Sequence, residues 1–332
     1  MSRSCRRLII PASKALVRLG AVVYFATLTS VASGAEWGPM QLLGRDIAAG
    51  TSARFAFTPD RTYEASYLNM PVFVARGIAA GPTLCLTAGV HGDELNGVEI
   101  ARRAFSSIDP SVLRGTVIAL PAINAEGVRT GNRYLSDRRD LNRAFPGSAG
   151  GSVARLIAHL VFTEVLVHCD ALVDLHTASN ERTNLPQIRA DISDPEIREL
   201  AIHFGTGIVI AGKGPEGSLR REAAKAGIPS IIYEAGAPHR FQEDEITRGA
   251  NGIENVMAYF EMTDSPEKEI PDSRVYERSR WVRVSRGEGG FFFPEAGLGA
   301  IVKKGEALGN IIDPLTDESH AVVSNVSGEI IG

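Results

Sequence analysis

Hydrophobic and polar positions divide this chain into four regions of different pattern. The first holds an apolar run at 19–28, preceded by Arg3, Arg6, Arg7, Lys14 and Arg18 and followed by Ser33-Gly34-Ala35. A basic head, a short apolar core and small residues form a secretory signal, with cleavage expected after Ala35. The apolar core falls well short of the roughly 20 residues needed to span a bilayer, so no stable membrane anchor is expected after cleavage. From 36 to about 80, alternating segments such as Ala53-Arg54-Phe55-Ala56-Phe57 and Val72-Phe73-Val74-Ala75 are broken by Pro59, Pro71 and Gly81-Pro82. They predict antiparallel strands leading into a main sheet.

From 82 onward the period alternates between two kinds. Apolar runs at 82–88, 115–121, 170–175, 207–211 and 229–234 predict buried strands, and the spans 95–105, 194–204, 219–226 and 243–260 predict helices. In the 152–168 span, Val153, Leu156, Ile157, Leu160 and Val161 make one apolar stripe behind a possible Ser152 cap. Strand and helix in alternation predict an α/β domain over 36–262: a mixed, mostly parallel sheet flanked by helices, with ligands at the carboxyl ends of its strands. The polar stretch 263–274, with Pro266 and Pro271, reads as a linker. Beyond it, pieces at 281–285, 290–293 and 300–302 predict a small all-β, barrel-like domain over 275–332.

Composition adds limits to this outline. The 332 residues are 44% apolar and 22% charged, an ordinary globular balance, and loss of the five basic residues in 1–35 takes the formal charge from −4 to −9. Nucleic acid and anionic lipid are therefore not expected partners. Cys85 and Cys169 both sit in apolar surroundings. A disulfide and two buried thiols are equally compatible with the sequence. Composition does not fix the oligomeric state.

Candidate chemistry concentrates at the predicted strand ends. Gly89-Val90-His91-Gly92-Asp93-Glu94 places an imidazole and a carboxylate three residues apart, where both can meet one metal ion; a solvated turn is the plain alternative. Val173-Asp174-Leu175-His176 ends a strand in Asp-x-His, which can add a third ligand whose ring a nearby carboxylate orients. His91, Glu94 and His176 then make a His2Glu set with an open fourth position for water, whose pKa zinc lowers to roughly 7. Ile231-Ile232-Tyr233-Glu234 puts another carboxylate at a strand mouth, where desolvation would suit it to general base work. The arginine-rich loop 131–147 is suited to binding a substrate carboxylate, unless Asp137 and Asp140 simply neutralise it in solvent.

Taken together, His91-x-x-Glu94, Arg133, Asp140-Leu141-Asn142-Arg143-x-Phe145-Pro146-Gly147, Asp174-Leu175-His176 and Glu234-x-Gly236 resemble the succinylglutamate desuccinylase/aspartoacylase family of the zinc carboxypeptidase-like clan. The resemblance covers about 84–260. It implies one zinc ion on His91, Glu94 and His176, with Glu234 activating water and protonating the leaving amine. It also implies that Arg133 polarises the scissile carbonyl, with Arg139 as a substitute, and that Asn142 and Arg143 hold a carboxylate. A further arginine, used by some relatives against a dicarboxylate acyl group, would fall at Arg220 or Arg221; both are expected on the solvated face of a helix. The segment Val302-Lys303-Lys304-Gly305-Glu306-Ala307-Leu308-Gly309 resembles the small β-barrel of bacterial relatives and of biotinyl and lipoyl carriers, without an attachment lysine, so a structural or entrance-shaping role is expected. Of the remaining histidines, only His239 falls in a loop that would border the site.

The function expected is a periplasmic or secreted zinc amidohydrolase acting on an N-acyl amino acid or similar small carboxylated amide. A zinc carboxypeptidase cleaving peptides or cell-wall fragments would share every ligand. A carboxylate-binding protein without turnover would have lost a ligand or the base, and neither is missing.

Overall fold

Continuous apolar runs produce the strands that carry the site. In this computed structural model, which describes residues 37–58, 69–283 and 289–332, β1 (Met40–Leu42) and β2 (Arg45–Ile47) form a hairpin. β3 (Thr51–Phe57) pairs antiparallel with β4 (Met70–Arg76). β5 (Ala79–Ala88) and β6 (Arg114–Leu120) are parallel neighbours joined through α1 (Leu95–Ser106). Then come α2 (Ala125–Thr130), a 3-10 turn at Leu141–Arg143, α3 (Val153–Leu160), β7 (Ala171–His176) and β8 (Asn184–Ala190). α4 (Pro195–Phe204), β9 (Ile208–Ala211), α5 (Leu219–Lys225), β10 (Ser230–Gly236), α6 (Glu243–Tyr259) and β11 (Arg274–Tyr276) follow. The signal expected at 1–35 lies outside the described residues.

Among the described residues these strands build a nine-stranded sheet in the order β11-β9-β8-β10-β7-β5-β6-β4-β3. Pairing is parallel from β11 to β8 and from β10 to β6, and antiparallel between β8 and β10 and from β6 to β3. The fold is thus the mixed, mostly parallel α/β sheet that the patterning predicts. Each face has its own core. Leu84, Leu86, Val173, Leu175, Ile231 and Tyr233 pack with Ile100, Phe204 and Ile253 of α1, α4 and α6. Cys85, Ile118, Leu120 and Leu172 pack on the other face with Ile157, Leu219 and Ala223 of α3 and α5.

Two local differences from the sequence reading have physical reasons, and one question it left open is closed. The helix expected over 152–168 begins on the Ser152 cap, which accepts from Arg155 N, but widens to a π turn at Val161–Val165 and tightens to a 3-10 turn at Leu166–His168. Val161, Val165 and Leu166 are all buried across that change, so the altered winding keeps the apolar stripe on the core. β8 was not expected, since its alternate positions include Gln187 and Arg189, and Pro186 argues against an inner strand. A register shift against β10 between Glu234 and Gly236 accommodates it there. Lastly, Cys85 and Cys169 form a disulfide with a Cα–Cα separation of 5.7 Å. The pairing of Cys85 with Leu172 in the β5–β7 ladder brings the two cysteines together.

The segment expected as a linker leads into β11, which hydrogen-bonds to β9 in the main sheet. Beyond it, β12 (Phe291–Pro294), β14 (Ala307–Ile312) and β15 (Ser319–Val323) form one small antiparallel sheet. β13 (Ile301–Val302) and β16 (Gly328–Glu329) form another. No strand forms over 281–283, and 284–285 lie outside the described residues. Trp37–Gly332 is one compact unit: Glu329 of β16 takes hydrogen bonds or ion pairs from Tyr276 and Arg274 of β11, and Leu185 N donates to Ile331 O at 2.9 Å.

Candidate active site

β5, β7 and β10 run parallel, so their carboxyl ends open on one edge of the sheet. His91 and Glu94 follow β5, His176 ends β7 and Glu234 lies beside it in β10, paired with His176 in the ladder. The turn carrying His91 depends on glycine. A Cβ at Gly92 would lie 1.9 Å from the backbone carbon of Gly127, so the turn fits against α2 only without a side chain there.

His91, Glu94 and His176 are all buried, and one ligand atom of each lies within 4.8 Å of the others. His91 Nδ1 is 2.8 Å from Glu94 Oε1 and His176 Nδ1 is 2.7 Å from Glu94 Oε2. The far nitrogens are held as well, His91 Nε2 by Asp140 Oδ1 at 3.2 Å and His176 Nε2 by Asp174 Oδ2 at 2.9 Å. Asp174 in turn accepts from Thr87 Oγ1 at 2.7 Å. Each ring is therefore fixed from behind by a carboxylate while its Nδ1 faces the common centre, the arrangement that orients imidazole ligands. Imidazole and carboxylate donors with this backing fit a divalent cation.

The electrostatics have the same origin. Burial disfavours charge on His91, but Glu94 and Asp140 outweigh it and raise the imidazole's pKa. Burial likewise opposes charge on His176, and Asp174 and Glu94 drive its pKa well above the usual histidine value. Against its own desolvation, Glu94 is held below the carboxylate range by His91 and His176. Asp140 is also held down, with His91 and Arg133 overcoming burial. Without a metal the two rings hold a proton more tightly than a free imidazole, and a cation bound between them would displace it.

A cavity of about 410 Å³ joins this cluster to Arg133, Asn142, Arg143 and Glu234. Arg133 donates to Glu94 Oε1 and Asp140 Oδ2, both at 3.1 Å. Arg139, the substitute considered for it, is exposed beside Asp137 and does not line the cavity. Asn142 Oδ1 accepts from Leu219 N at 2.8 Å, which leaves its amide NH2 as the group to offer a ligand. His239 also stays off the cavity wall, with its ring half exposed near Glu181.

One sequence expectation is corrected here. Arg220 is not on a solvated face: it is 4% exposed, lines the cavity, and donates to Gly212 O at 2.8 Å. Burial and the nearby Arg189 push its pKa down to about 10. Gln187, fully buried, lines the same cavity, and among the described residues neither of its amide atoms has a hydrogen-bond partner. Asn184, Gln187 and Arg189 were overlooked because the polar face of β8 points into a cavity, where alternation resembles that of a strand facing solvent. Their signal was the polar alternation 185–189 just upstream of the helix at 195.

A helix-flanked mixed sheet with this buried His-Glu-His cluster at its carboxyl edge, taken with the relatives that follow, makes the protein an amide hydrolase. A relative from Halomonas elongata, named N-alpha-acetyl-L-2,4-diaminobutyric acid deacetylase, is 26% identical over 262 residues, 74% of each chain. Residues 80–260 match the succinylglutamate desuccinylase/aspartoacylase catalytic domain, and the chain belongs to that family. A succinylglutamate desuccinylase/aspartoacylase structure from Rhodobacter sphaeroides superposes with a TM-score of 0.76 at 25% identity, covering 86% of this chain and 92% of that one. The product-bound ectoine utilization protein of Ruegeria pomeroyi shares the fold, with a TM-score of 0.78 at 22% identity over 89% of this chain and 92% of its own.

Proposed function

We propose that this protein is a zinc-dependent deacylase that cleaves the amide bond of a small N-acyl amino acid. The observation that carries the reading is the convergence of His91, Glu94 and His176 in the cavity that also holds Glu234, Arg133, Asn142 and Arg143. A zinc ion held by the first three would supply Lewis acidity, acidifying water and polarising a carbonyl. Arg133, braced by Glu94 and Asp140, presents its guanidinium to the scissile carbonyl oxygen as negative charge builds there. Glu234 takes the proton from the attacking water and returns it to the leaving amine. Asn142 and Arg143 hold the carboxylate of the amino-acid portion. The relative named as a deacetylase of an acetylated diamino acid supports a small acyl group.

A second reading of the substrate is favoured by another part of the cavity lining. Buried Arg220, with Arg189 and Gln187, which has no partner among the described residues, suits an acyl group that itself ends in a carboxylate. A panel of acetyl and dicarboxyl-acyl amino acids, together with peptides, separates these readings. Release of C-terminal residues from peptides alone would indicate a carboxypeptidase instead. E234Q is expected to lower turnover by about 10²–10⁴-fold with zinc still bound. Full activity in E234Q would overturn the assignment.

We propose further that the enzyme works in the periplasm or is secreted. The three-part pattern of residues 1–35 and the buried Cys85–Cys169 disulfide both suit an oxidising compartment. The compact unit starts at Trp37, two residues beyond the expected cleavage. Among the described residues, no helix is long and apolar enough to cross a membrane.

A further inference from the structure

Glu234 is one strand away from its steadying partner. Asn184, at the start of β8, donates from Nδ2 to Glu234 Oε2 at 2.8 Å. A carboxylate on a strand rotates easily about its last torsion, whose profile is broad and roughly two-fold. One hydrogen bond to one oxygen fixes its plane. Arg189 Nη1 lies 3.5 Å from Oε1, too far for a strong hydrogen bond, and among the described residues Oε1 accepts none. The two oxygens are thus unequal, Oε2 held by a hydrogen bond and Oε1 by the longer ion pair with Arg189 alone, which leaves Oε1 the freer to accept a proton.

Asn184 is itself placed from two sides. It pairs with Gly236 across the register shift in the β8–β10 ladder, which turns the start of β8 back towards Glu234. On the other side, Leu185 N bonds to Ile331 O, and a Cβ at Gly332 would lie 2.5 Å from Asn184 Oδ1. The C-terminal segment therefore packs on the amide oxygen while the amide nitrogen faces Glu234. An ionised carboxylate can only accept, so this orientation of the amide is the one its partner requires.

We propose that Asn184 is a positioning residue that holds Glu234 in its proton-accepting orientation and ties that orientation to the packing of the C-terminal segment. This rests on the reading of Glu234 as the proton carrier. Asn184 acts through Glu234 rather than on the scissile bond, so its loss is expected to fall on turnover more than on binding.

The test compares Asn184→Asp, which keeps the shape but turns the donor into an acceptor facing Glu234, with Asn184→Leu, which removes the donor without adding charge. Turnover is measured on the N-acyl amino acid cleaved fastest in the panel above, alongside zinc content and melting temperature. Both variants are expected to lose about 10- to 100-fold in kcat, the scale of a misplaced catalytic group, with KM within about two-fold and zinc unchanged. In an E234Q background, adding N184D should change the residual rate by less than about two-fold, because no proton carrier is left to position. A folded N184D enzyme with wild-type kcat overturns the proposal, as does an equal loss in both backgrounds, which marks a packing role. Retained activity in E234Q alone, or no turnover anywhere in the panel, overturns the parent reading instead.

Discussion

Asp140 shows how much a single residue can carry beyond its motif. Its Oδ1 faces His91 Nε2 and also accepts from Asn142 N at 2.9 Å, while Oδ2 accepts from Arg133. It joins an imidazole, a guanidinium and the turn bearing two other candidate residues. Asp140→Ala should lower zinc affinity by roughly 10- to 100-fold, as losing the partner of a metal-binding imidazole typically does, and competition with a chelator would measure it. Unchanged affinity would mean that His91 needs no brace. The putting together of His91, Glu94 and His176 was legible because two of them lie within one turn and the third ends a strand with its own Asp. The bracing role of Asp140 was not, since it sits 49 residues from His91. Arg220 was misread for a related reason: helical position tells which face a side chain takes, but not whether a cavity lies under that face.

Among the elements, the strands with strong apolar runs were legible and β8 was not. β8 is paired on both edges, yet its cavity face carries Gln187 and Arg189, so burial and polarity no longer coincide. The disulfide is also a matter of elements, because it links β5 to the segment entering β7, the two strands that lead to His91 and His176. Replacing both cysteines with alanine should cost about 2–4 kcal/mol in urea denaturation with little change in kcat, since the bond lies in the core shared with α3 and α5 and does not line the cavity. A variant as stable as the parent would contradict this. At the turn after β5, Gly92→Ala forces the backbone away from α2. It should lose bound zinc and about 1–3 kcal/mol of stability, measured by metal analysis and thermal unfolding.

For the whole molecule, the charged cluster couples stability to pH and metal. His91 and His176 have pKa values raised above the ordinary 6.5, so their contribution is complete below about 6.5 and fades as pH rises through the raised values. Glu94 and Asp140 are lowered from 4.5 and 3.8, so theirs is present above those values and fades as pH falls. Chelator-treated protein should therefore be most stable between about pH 4.5 and 6.5 and lose melting temperature above that window, whereas zinc-loaded protein should not. Melting curves from pH 5 to 9 with and without chelator check this; identical curves would mean that the cluster binds no metal. The sequence by itself determined the alternating α/β architecture and that His91, Glu94 and His176 fall at strand ends, because periodicity and short motifs act within a few residues. Tertiary structure decided which carboxylate braces which imidazole, that Arg220 faces a cavity, that the cysteines pair and that Asn184 steadies Glu234. Each of these depends on register between strands distant in sequence, and register is set by the packing of the whole sheet.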